Sequence, residues 1–267
     1  MIMGLPCHRA MPVGQREIMP ATAAWPPKST PRLFIDHELA VGAEVPLDNP
    51  ETRYFFAVLR LKEGDPVRLF DNRTGEYVAR LGPVASGRSS ARVESLLAPR
   101  EEVPDLWLCA SPIQRDNFAL VAEKACELGV RKFVPVEMRR TQVRQINAGR
   151  LVKRMIEAAE QCERTSLPEV EPLVRLEKLL VDWPANRTLF FCDERGGDPA
   201  PAAMAAHPGP AAILIGPEGG FDAAENAAIR ALPHAVPVSL GPRILRAETA
   251  AISAVTLWMG AVGDWRD

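Results

Sequence analysis

The chain has 267 residues and a mass of 29.2 kDa, which fits one large domain or two modest ones. A hydrophobic fraction of 47% and a charged fraction of 25% exclude a wholly disordered chain, a collagen-like chain and a coiled coil. No stretch approaches the ~20 consecutive apolar residues that a membrane span needs. The net charge of −2 is not typical of a nucleic-acid-binding protein.

Residues 1–30 contain five prolines, no apolar periodicity and none of the apolar core of a secretory signal peptide. Met3, Met11 and Met19 each offer an internal start of translation. We therefore expect residues 1–30 to be a disordered N-terminal extension outside the fold, or an over-long gene start.

Short strands dominate residues 31–99, where turn residues such as Glu63-Gly64-Asp65 separate brief alternating or apolar runs. Many short strands in about 70 residues predict a small β-barrel. One helix is expected here, capped by Asp48 or Asn49 and with Pro50 in its first turn. The predicted strands are Arg32–Ile35, Glu44–Leu47, Val67–Phe70, Glu76–Leu81 and Ala91–Leu97. The apolar stripe of the helix is Tyr54, Phe55, Val58 and Leu59.

After a linker at residues 99–104, strands alternate with helices, which predicts a mostly parallel sheet covered on both faces. Asp116 is expected to cap the first helix and Gly129 to stop it. The predicted strands are Leu106–Ala110, Phe133–Val136, Thr188–Cys192, Ala212–Ile215 and Val236–Leu240. The later helices are Ala148–Glu163, Asp222–Ala231 and Glu248–Met259.

Helical spacing of apolar residues indicates the buried faces of two of these helices. The first face holds Leu120, Val121, Ala125 and Leu128. The second holds Leu151, Val152, Met155, Ile156 and Ala159. Asp222 and Glu225 have the spacing of a capping box, in which each side chain accepts from a backbone N–H of the first helical turn.

The five cysteines and four histidines are scattered, without CxxC or HExxH spacing. The sequence therefore predicts neither a disulfide framework nor a metal site. Reduced thiols in a cytoplasmic protein are the expected state.

Two glycine-rich loops follow predicted parallel strands: residues 216–221 read GPEGGF, and residues 241–249 read GPRILRAET. Ligands of open α/β sheets bind at the carboxyl ends of the strands, and glycine lets a ligand approach the backbone. A third such strand end lies at residues 191–195, which read FCDER. Gly-Pro pairs also occur in ordinary turns, which is the alternative. The GxGxxG, GxxxxGK[ST] and GxSxG motifs are absent, so dinucleotide, phosphate-loop and serine-nucleophile sites lack support.

These loops are part of a wider set of motifs that occur in order over residues 31–262. IGPEGGF at 215–221 and LGPRILRAETA at 240–250 resemble the two C-terminal motifs of the ribosomal RNA small-subunit methyltransferase E family, whose members are SPOUT-class methyltransferases. EKACELGV at 123–130, the EAAEQCER segment and PRLF at 31–34 resemble further family motifs.

The resemblance implies an α/β fold in which a small PUA-like, RNA-binding β-barrel (residues 31–99) precedes a SPOUT-type, trefoil-knotted parallel-sheet domain (residues 104–267). It also implies S-adenosylmethionine as the cofactor, a homodimer, no metal, and methylation of N3 of a uridine in 16S rRNA within the 30S subunit.

Carried onto this chain, the family motifs make Arg246 and Arg243 the candidate catalytic residues. An arginine suits the stabilisation of the oxygen charge that develops when uracil loses its N3 proton. Pairing with Glu248 is the alternative for both, while Glu218 is a base or a brace of its loop. The expected cofactor contacts are Cys192, Asp193, Glu194, Gly216, Pro217, Gly219, Gly220, Leu240, Gly241, Ile244 and Leu245. The expected RNA contacts are Arg32, Arg139, Arg140 and Arg164, with a solvated face as the alternative for Arg139 and Arg140.

This sequence departs from the family pattern at two places. Residues 114–117 read QRDN where a KGDR-like stretch is usual, and Glu163 stands at a usual glycine. The functional alternatives are a methyltransferase acting on another RNA, a non-catalytic RNA-binding protein and a small-molecule enzyme.

The net charge conceals an uneven distribution. Residues 131–154 hold eight basic residues against Glu137 alone, whereas residues 181–267 hold six basic and ten acidic residues. The first segment therefore allows a localised RNA contact, and the second tolerates a cationic cofactor.

Overall fold

The structure, a computed structural model, describes residues 25–27, 29–193 and 195–266. Most of the predicted N-terminal extension and the expected cofactor contact Glu194 lie outside these residues. In the described part of the chain, no helix combines the length and apolar character needed to cross a bilayer. The same residues contain no cluster of three or more potential metal ligands.

The first part of the chain forms a five-stranded sheet with the order β1-β3-β4-β5-β2. β1 pairs with β3 in parallel and the other pairs are antiparallel. All five predicted strands are present, with their ends shifted by at most two residues. β1 and β2 end this order and do not pair with each other in the described residues. The strands are β1 (Arg32–Phe34), β2 (Glu44–Leu47), β3 (Pro66–Phe70), β4 (Gly75–Leu81) and β5 (Ser89–Pro99).

The helix in this region is shorter than its apolar stripe predicts. α1 (Asn49–Arg53) has Pro50 in its first turn and passes directly into a π-helical turn at Tyr54–Val58. Because a π turn holds more residues than an α turn, the spacing of the stripe no longer matches one face. Phe55 is fully buried, whereas Tyr54 and Val58 are exposed, so the predicted four-residue buried stripe is wrong.

The second part of the chain forms an eight-stranded parallel sheet with the order β11-β13-β10-β12-β6-β7-β8, in which β9 also pairs with β7. Every pairing in it is parallel, which confirms the predicted α/β architecture. The strands are β6 (Leu106–Ala110), β7 (Lys132–Glu137), β8 (Glu169–Val170), β9 (Val174–Arg175), β10 (Thr188–Cys192), β11 (Asp198–Pro199), β12 (Ala211–Ile215) and β13 (Ala235–Ser239). All five residues of β12 are buried, as expected for a central strand.

Six helices pack on this sheet in the described residues. They are α2 (Arg115–Glu127), α3 (Ala148–Cys162), α4 (Leu176–Val181), α5 (Ala200–Ala206), α6 (Ala223–Arg230) and α7 (Ala247–Ala261). The capping box of Asp222 and Glu225 at α6 is confirmed. Gly129 follows α2 with a positive φ of 84°, so its role as a helix stop is confirmed as well.

Three local predictions on α2 and α3 are wrong. Gln114 occupies the N-cap position of α2, and Asp116 lies in the first turn, where it pairs with Arg150 at 2.8 Å. Leu120 and Val152 are exposed, because each lies at the edge of the apolar face instead of its centre. None of the strand pairings tests the trefoil knot, which stays a prediction.

Candidate functional site

The carboxyl ends of β13, β10 and β12 lie side by side, because the three strands are adjacent and parallel. Cys192 at the end of β10 is in register with Val238 of β13, and Phe191 with Leu214 of β12. The loops that follow these strands therefore meet at one edge of the sheet. The structure thus brings together the three segments that carry the expected cofactor contacts.

The loop after β12 has a backbone that only small residues allow. A Cβ on Gly216 would lie 3.3 Å from the ring of Phe221, which is buried and packs edge-on against Phe191. Gly220 has a positive φ of 67° and donates its N–H to the carbonyl of Pro217 at 2.8 Å. Between them, Pro217 is buried, whereas Glu218 and Gly219 are exposed, so the tip of this turn is open to a ligand.

Arg139 and Arg140 follow β7 and hold the glycine loop in place. The Arg140 guanidinium donates to the carbonyl of Gly219. The Arg139 N–H donates to Glu225 Oε1 at 2.7 Å, and its guanidinium lies 3.1 Å from Asp222 Oδ2. The hydrogen bond that Asp222 accepts from the Glu225 N–H, together with Arg139, lowers the pKa of Asp222. These arginines therefore brace the site, and Arg139 keeps 59% of its side chain exposed.

Cys192 and Asp193 end β10 with little side-chain surface to offer a ligand. Burial raises the pKa of the Cys192 thiol to about 12, so the thiol stays protonated at neutral pH. Asp193 is 6% exposed and accepts hydrogen bonds from Asn226, Arg230 and the backbone N–H of Arg195. Burial alone would raise the pKa of Asp193, but these hydrogen bonds outweigh it and lower that pKa. The Asp193 carboxylate is therefore occupied by protein donors and not free for a ligand.

The loop after β13 is the most exposed of the three. Leu240 packs partly against the core, and Gly241 turns the chain with a φ of 115°. Arg243 and Arg246 are both exposed, and Ile244 is 99% exposed. Leu245, between them, is half-buried.

The side chains of Arg243 and Arg246 differ from those of Arg139 and Arg140 in their pairing. Within the described residues, neither guanidinium group forms a hydrogen bond or an ion pair, so the alternative of pairing with Glu248 is not observed. Glu248 instead accepts a hydrogen bond from Asn117 at 3.3 Å. The site therefore presents two unpaired guanidinium groups beside its glycine loops.

Arg32 and Arg164, expected to contact RNA, instead join the two sheets. Arg32 pairs with Glu76 at 3.0 Å, donates to the carbonyls of Ala159 and Arg164, and lies over the Phe70 ring. Arg164 donates to the carbonyl of Cys126 at 2.5 Å and to Glu101 at 2.8 Å.

We call this group, Arg32, Glu76, Arg164 and Glu101, the inter-sheet contact. The side chains of Arg32 and Arg164 are only 5% and 6% exposed. Their guanidinium groups are used inside the protein, so the expectation that they contact RNA is corrected.

The residues that fix the loop after β10 were not predicted from the sequence. Asn226 and Arg230 both bind Asp193 Oδ2, at 2.8 and 2.6 Å. Their spacing of four residues places them on the same side of α6, and this spacing can be recognised in the sequence. Their target lies 33 to 37 residues away, and only the fold connects the two.

Comparisons with known proteins agree with this architecture. Residues 100–259 match the family model described as an RNA methyltransferase domain, and residues 47–91 match the one described as an RNA methyltransferase PUA domain. The chain is 31% identical, over 84% of its length and 93% of the relative, to the ribosomal RNA small subunit methyltransferase E of Rickettsia conorii. It is 31% identical to the Synechocystis protein of the same name, over 82% and 74% of the two chains.

Two solved structures are similar over nearly their whole length. The ribosomal RNA small subunit methyltransferase E of Neisseria gonorrhoeae, bound to S-adenosylmethionine, has a TM-score of 0.80 and 27% identity, over 88% of this chain and 99% of that chain. A putative methyltransferase of Legionella pneumophila, in complex with the same cofactor, has a TM-score of 0.77 and 28% identity over the same shares.

Proposed function

Since the chain belongs to the ribosomal RNA small subunit methyltransferase E family, we propose that it methylates N3 of a uridine in 16S rRNA, with S-adenosylmethionine as the methyl donor. The observation that carries the proposal is the edge where three loops of the parallel sheet meet beside the unpaired Arg243 and Arg246. The conclusion also agrees with the PUA-domain match at residues 47–91.

The residues at this edge fit S-adenosylmethionine. Gly216, Gly220 and Gly241 leave backbone groups open to the adenosine and methionine parts of the cofactor. The half-buried Leu240 and Leu245 supply apolar contacts to the adenine ring. When bound, the cofactor supplies an electrophilic methyl group on a sulfonium. The excess of four acidic residues in 181–267 suits that positive charge.

The chain's own residues then position the uracil and balance its charge. N3 of uracil must lose its proton before it attacks, and negative charge develops on the neighbouring carbonyl oxygen. An unpaired guanidinium beside that oxygen stabilises this charge without reorganisation. We assign this role to Arg246, which stands at the N-cap of α7, where the helix dipole adds to the positive field.

Glu218 is the candidate proton acceptor. Its side chain is exposed at the tip of the loop after β12 and forms no hydrogen bond or ion pair in the described residues. A brace would need such a bond, so the geometry favours the alternative of a base.

The RNA contacts belong to both parts of the molecule in this proposal. The barrel at residues 31–99 binds RNA, and the domain at 104–267 binds the cofactor. The net charge of +7 in residues 131–154 supports a phosphate-binding surface beside the cofactor loops. The proposal includes the homodimer that the family resemblance implies, in which the 99% exposed Ile244 is a residue that a second copy of the chain would cover.

The test is mass spectrometry of 16S rRNA from a strain that lacks the gene. We expect one uridine to lose a methyl group, and the purified protein with S-adenosylmethionine to restore it on the 30S subunits of that strain. A methyl group lost from another RNA would identify a different substrate. Absence of cofactor binding in calorimetry would contradict methyl transfer and favour a non-catalytic RNA-binding protein. Sedimentation of the purified protein tests the homodimer.

A further inference from the structure

A cavity of about 340 Å³ lies at the carboxyl ends of β6 and β7, outside the three cofactor loops. Its walls come from the segment before α2, the segment before α3 and the first turns of both helices. This volume lies in the range of small-molecule sites in proteins. The residues that matter for its chemistry are Arg115, Phe118, Ala119, Val143, Gln145 and Arg150.

The cavity and the cofactor loops share one continuous edge. The Ser111 N–H, after β6, donates to the Ile215 carbonyl at the end of β12 at 3.0 Å. Asn117, in the first turn of α2, donates to Glu248, in the first turn of α7. A ligand in the cavity therefore lies one strand away from the loop after β12 and one side-chain contact away from the helix that Arg246 begins.

The walls combine apolar surface with cationic and amide groups. Phe118 and Ala119 are buried and form part of the apolar floor. The side chains of Arg115 and Gln145 are exposed at the mouth and have no hydrogen-bond partner in the described residues. Arg150 pairs with Asp116, whose side chain is 83% exposed, and an exposed pair of this kind exchanges readily for another anion.

We propose that this cavity is a subsite for one unstacked nucleotide of the substrate RNA. The apolar floor contacts the planar base, and the guanidinium groups of Arg115 and Arg150 bind the phosphate bidentately. Enzymes that modify a base take it out of its stack, and a site of this size beside the cofactor loops accommodates it. The inference rests on the proposed function, because it assigns a substrate contact to the same edge of the sheet.

Removal of the phosphate contact tests the subsite. For Arg115→Ala we expect the KM for unmethylated 30S subunits to rise about tenfold, as for loss of a charged hydrogen bond, with kcat unchanged. The slope of log affinity against log salt should fall by about one. The cofactor Kd, measured by calorimetry, should stay unchanged. The matched control is Arg175→Ala, which removes an exposed arginine of β9 that pairs with Glu137 and does not line the cavity. Equal effects of the two variants would overturn the proposal.

Filling the cavity tests it without a change of charge. Val143 is half-buried in a loop, so Val143→Trp should block the cavity while the fold and cofactor binding persist. We expect the rise in KM to match or exceed that of Arg115→Ala. The control Val152→Trp makes the same change at an exposed position of α3 that does not line the cavity, and it should behave like the wild type. A Val143→Trp variant with wild-type KM would show that no nucleotide enters.

Photo-cross-linking locates the nucleotide directly. 30S subunits that contain 4-thiouridine should cross-link to peptides within 113–119 or 143–151, and Val143→Trp should abolish these cross-links. If the wild type transfers methyl groups but yields no such cross-links, the subsite is wrong and the proposed function stands. If the wild type transfers no methyl group to RNA, the proposed function itself fails, whichever peptides cross-link.

Discussion

The inter-sheet contact and the loop after β13 both depend on arginine, but they use the guanidinium group in opposite ways. In the first, Arg32 and Arg164 are almost fully buried, and carboxylates and backbone carbonyls accept from them. In the second, Arg243 and Arg246 are exposed and unpaired within the described residues. A buried, paired guanidinium stabilises the fold, whereas an exposed, unpaired one is available to a ligand. Residue type alone therefore does not separate structural from functional arginines.

The largest expected effect is the loss of Arg32. Arg32→Ala removes a buried ion pair and two hydrogen bonds to backbone carbonyls, so we expect the free energy of unfolding to fall by about 3 kcal/mol. Urea-induced unfolding measures this. The control is Arg154→Ala, whose pair with Glu157 is exposed and should contribute less than about 1 kcal/mol. Similar losses for both variants would contradict a structural role for the inter-sheet contact.

The opposite pattern is expected for Arg246. Arg246→Ala should lower kcat for methyl transfer about 100-fold, as for removal of one donor to a developing oxyanion. Its melting temperature and its affinity for S-adenosylmethionine should stay close to the wild-type values, because Arg246 has no partner to lose. Single-turnover transfer to 30S subunits is the measurement. Full turnover with normal cofactor binding would show that the assignment is wrong.

Asp193 offers a test that depends on pH. Its folded-state pKa lies below the ordinary value of 3.8, so its carboxylate stabilises the fold above about pH 4 and loses this effect as the pH falls through the folded pKa. Asp193→Asn should therefore melt below the wild type at pH 7, and the difference should shrink toward pH 3. Asp36→Asn, at an exposed pair with Arg73, should follow the wild type throughout. A constant difference for Asp193→Asn would contradict the lowered pKa.

The smallest effect is expected for Arg243, and it tests which of the two exposed arginines stabilises the developing oxyanion. Arg243 lies in the middle of the loop, away from the positive end of α7, so Arg243→Ala should change kcat by less than about threefold. A loss as large as that of Arg246→Ala would assign the oxyanion role to both residues. Steady-state methyl transfer at saturating cofactor measures it.

The sequence predicts the fold well where the signal is local. Apolar runs located both sheets, and the capping box at Asp222 located the start of α6. The meeting of the loops follows from parallel strands, since their carboxyl ends share an edge. Whether a side chain is buried, however, depends on residues that are far away in the sequence. The partners of Arg32 include a carbonyl 127 residues away, and no spacing rule connects them. The prediction that Tyr54 and Val58 are buried was wrong because a π turn changed the helical period.

The position of α3 has a consequence for how an RNA is recognised. Near its C-terminus, α3 is fixed to the first sheet, since Arg32 binds the Ala159 carbonyl and the Phe34 N–H donates to Glu160. Near its N-terminus, Arg150 lines the cavity. Ala159 lies nine positions after Arg150 in one continuous helix, about 14 Å at 1.5 Å per residue. In the proposed function, an RNA that touches both parts must therefore match this fixed spacing, so the folded shape of the RNA, more than its nucleotide order, decides which strands are accepted.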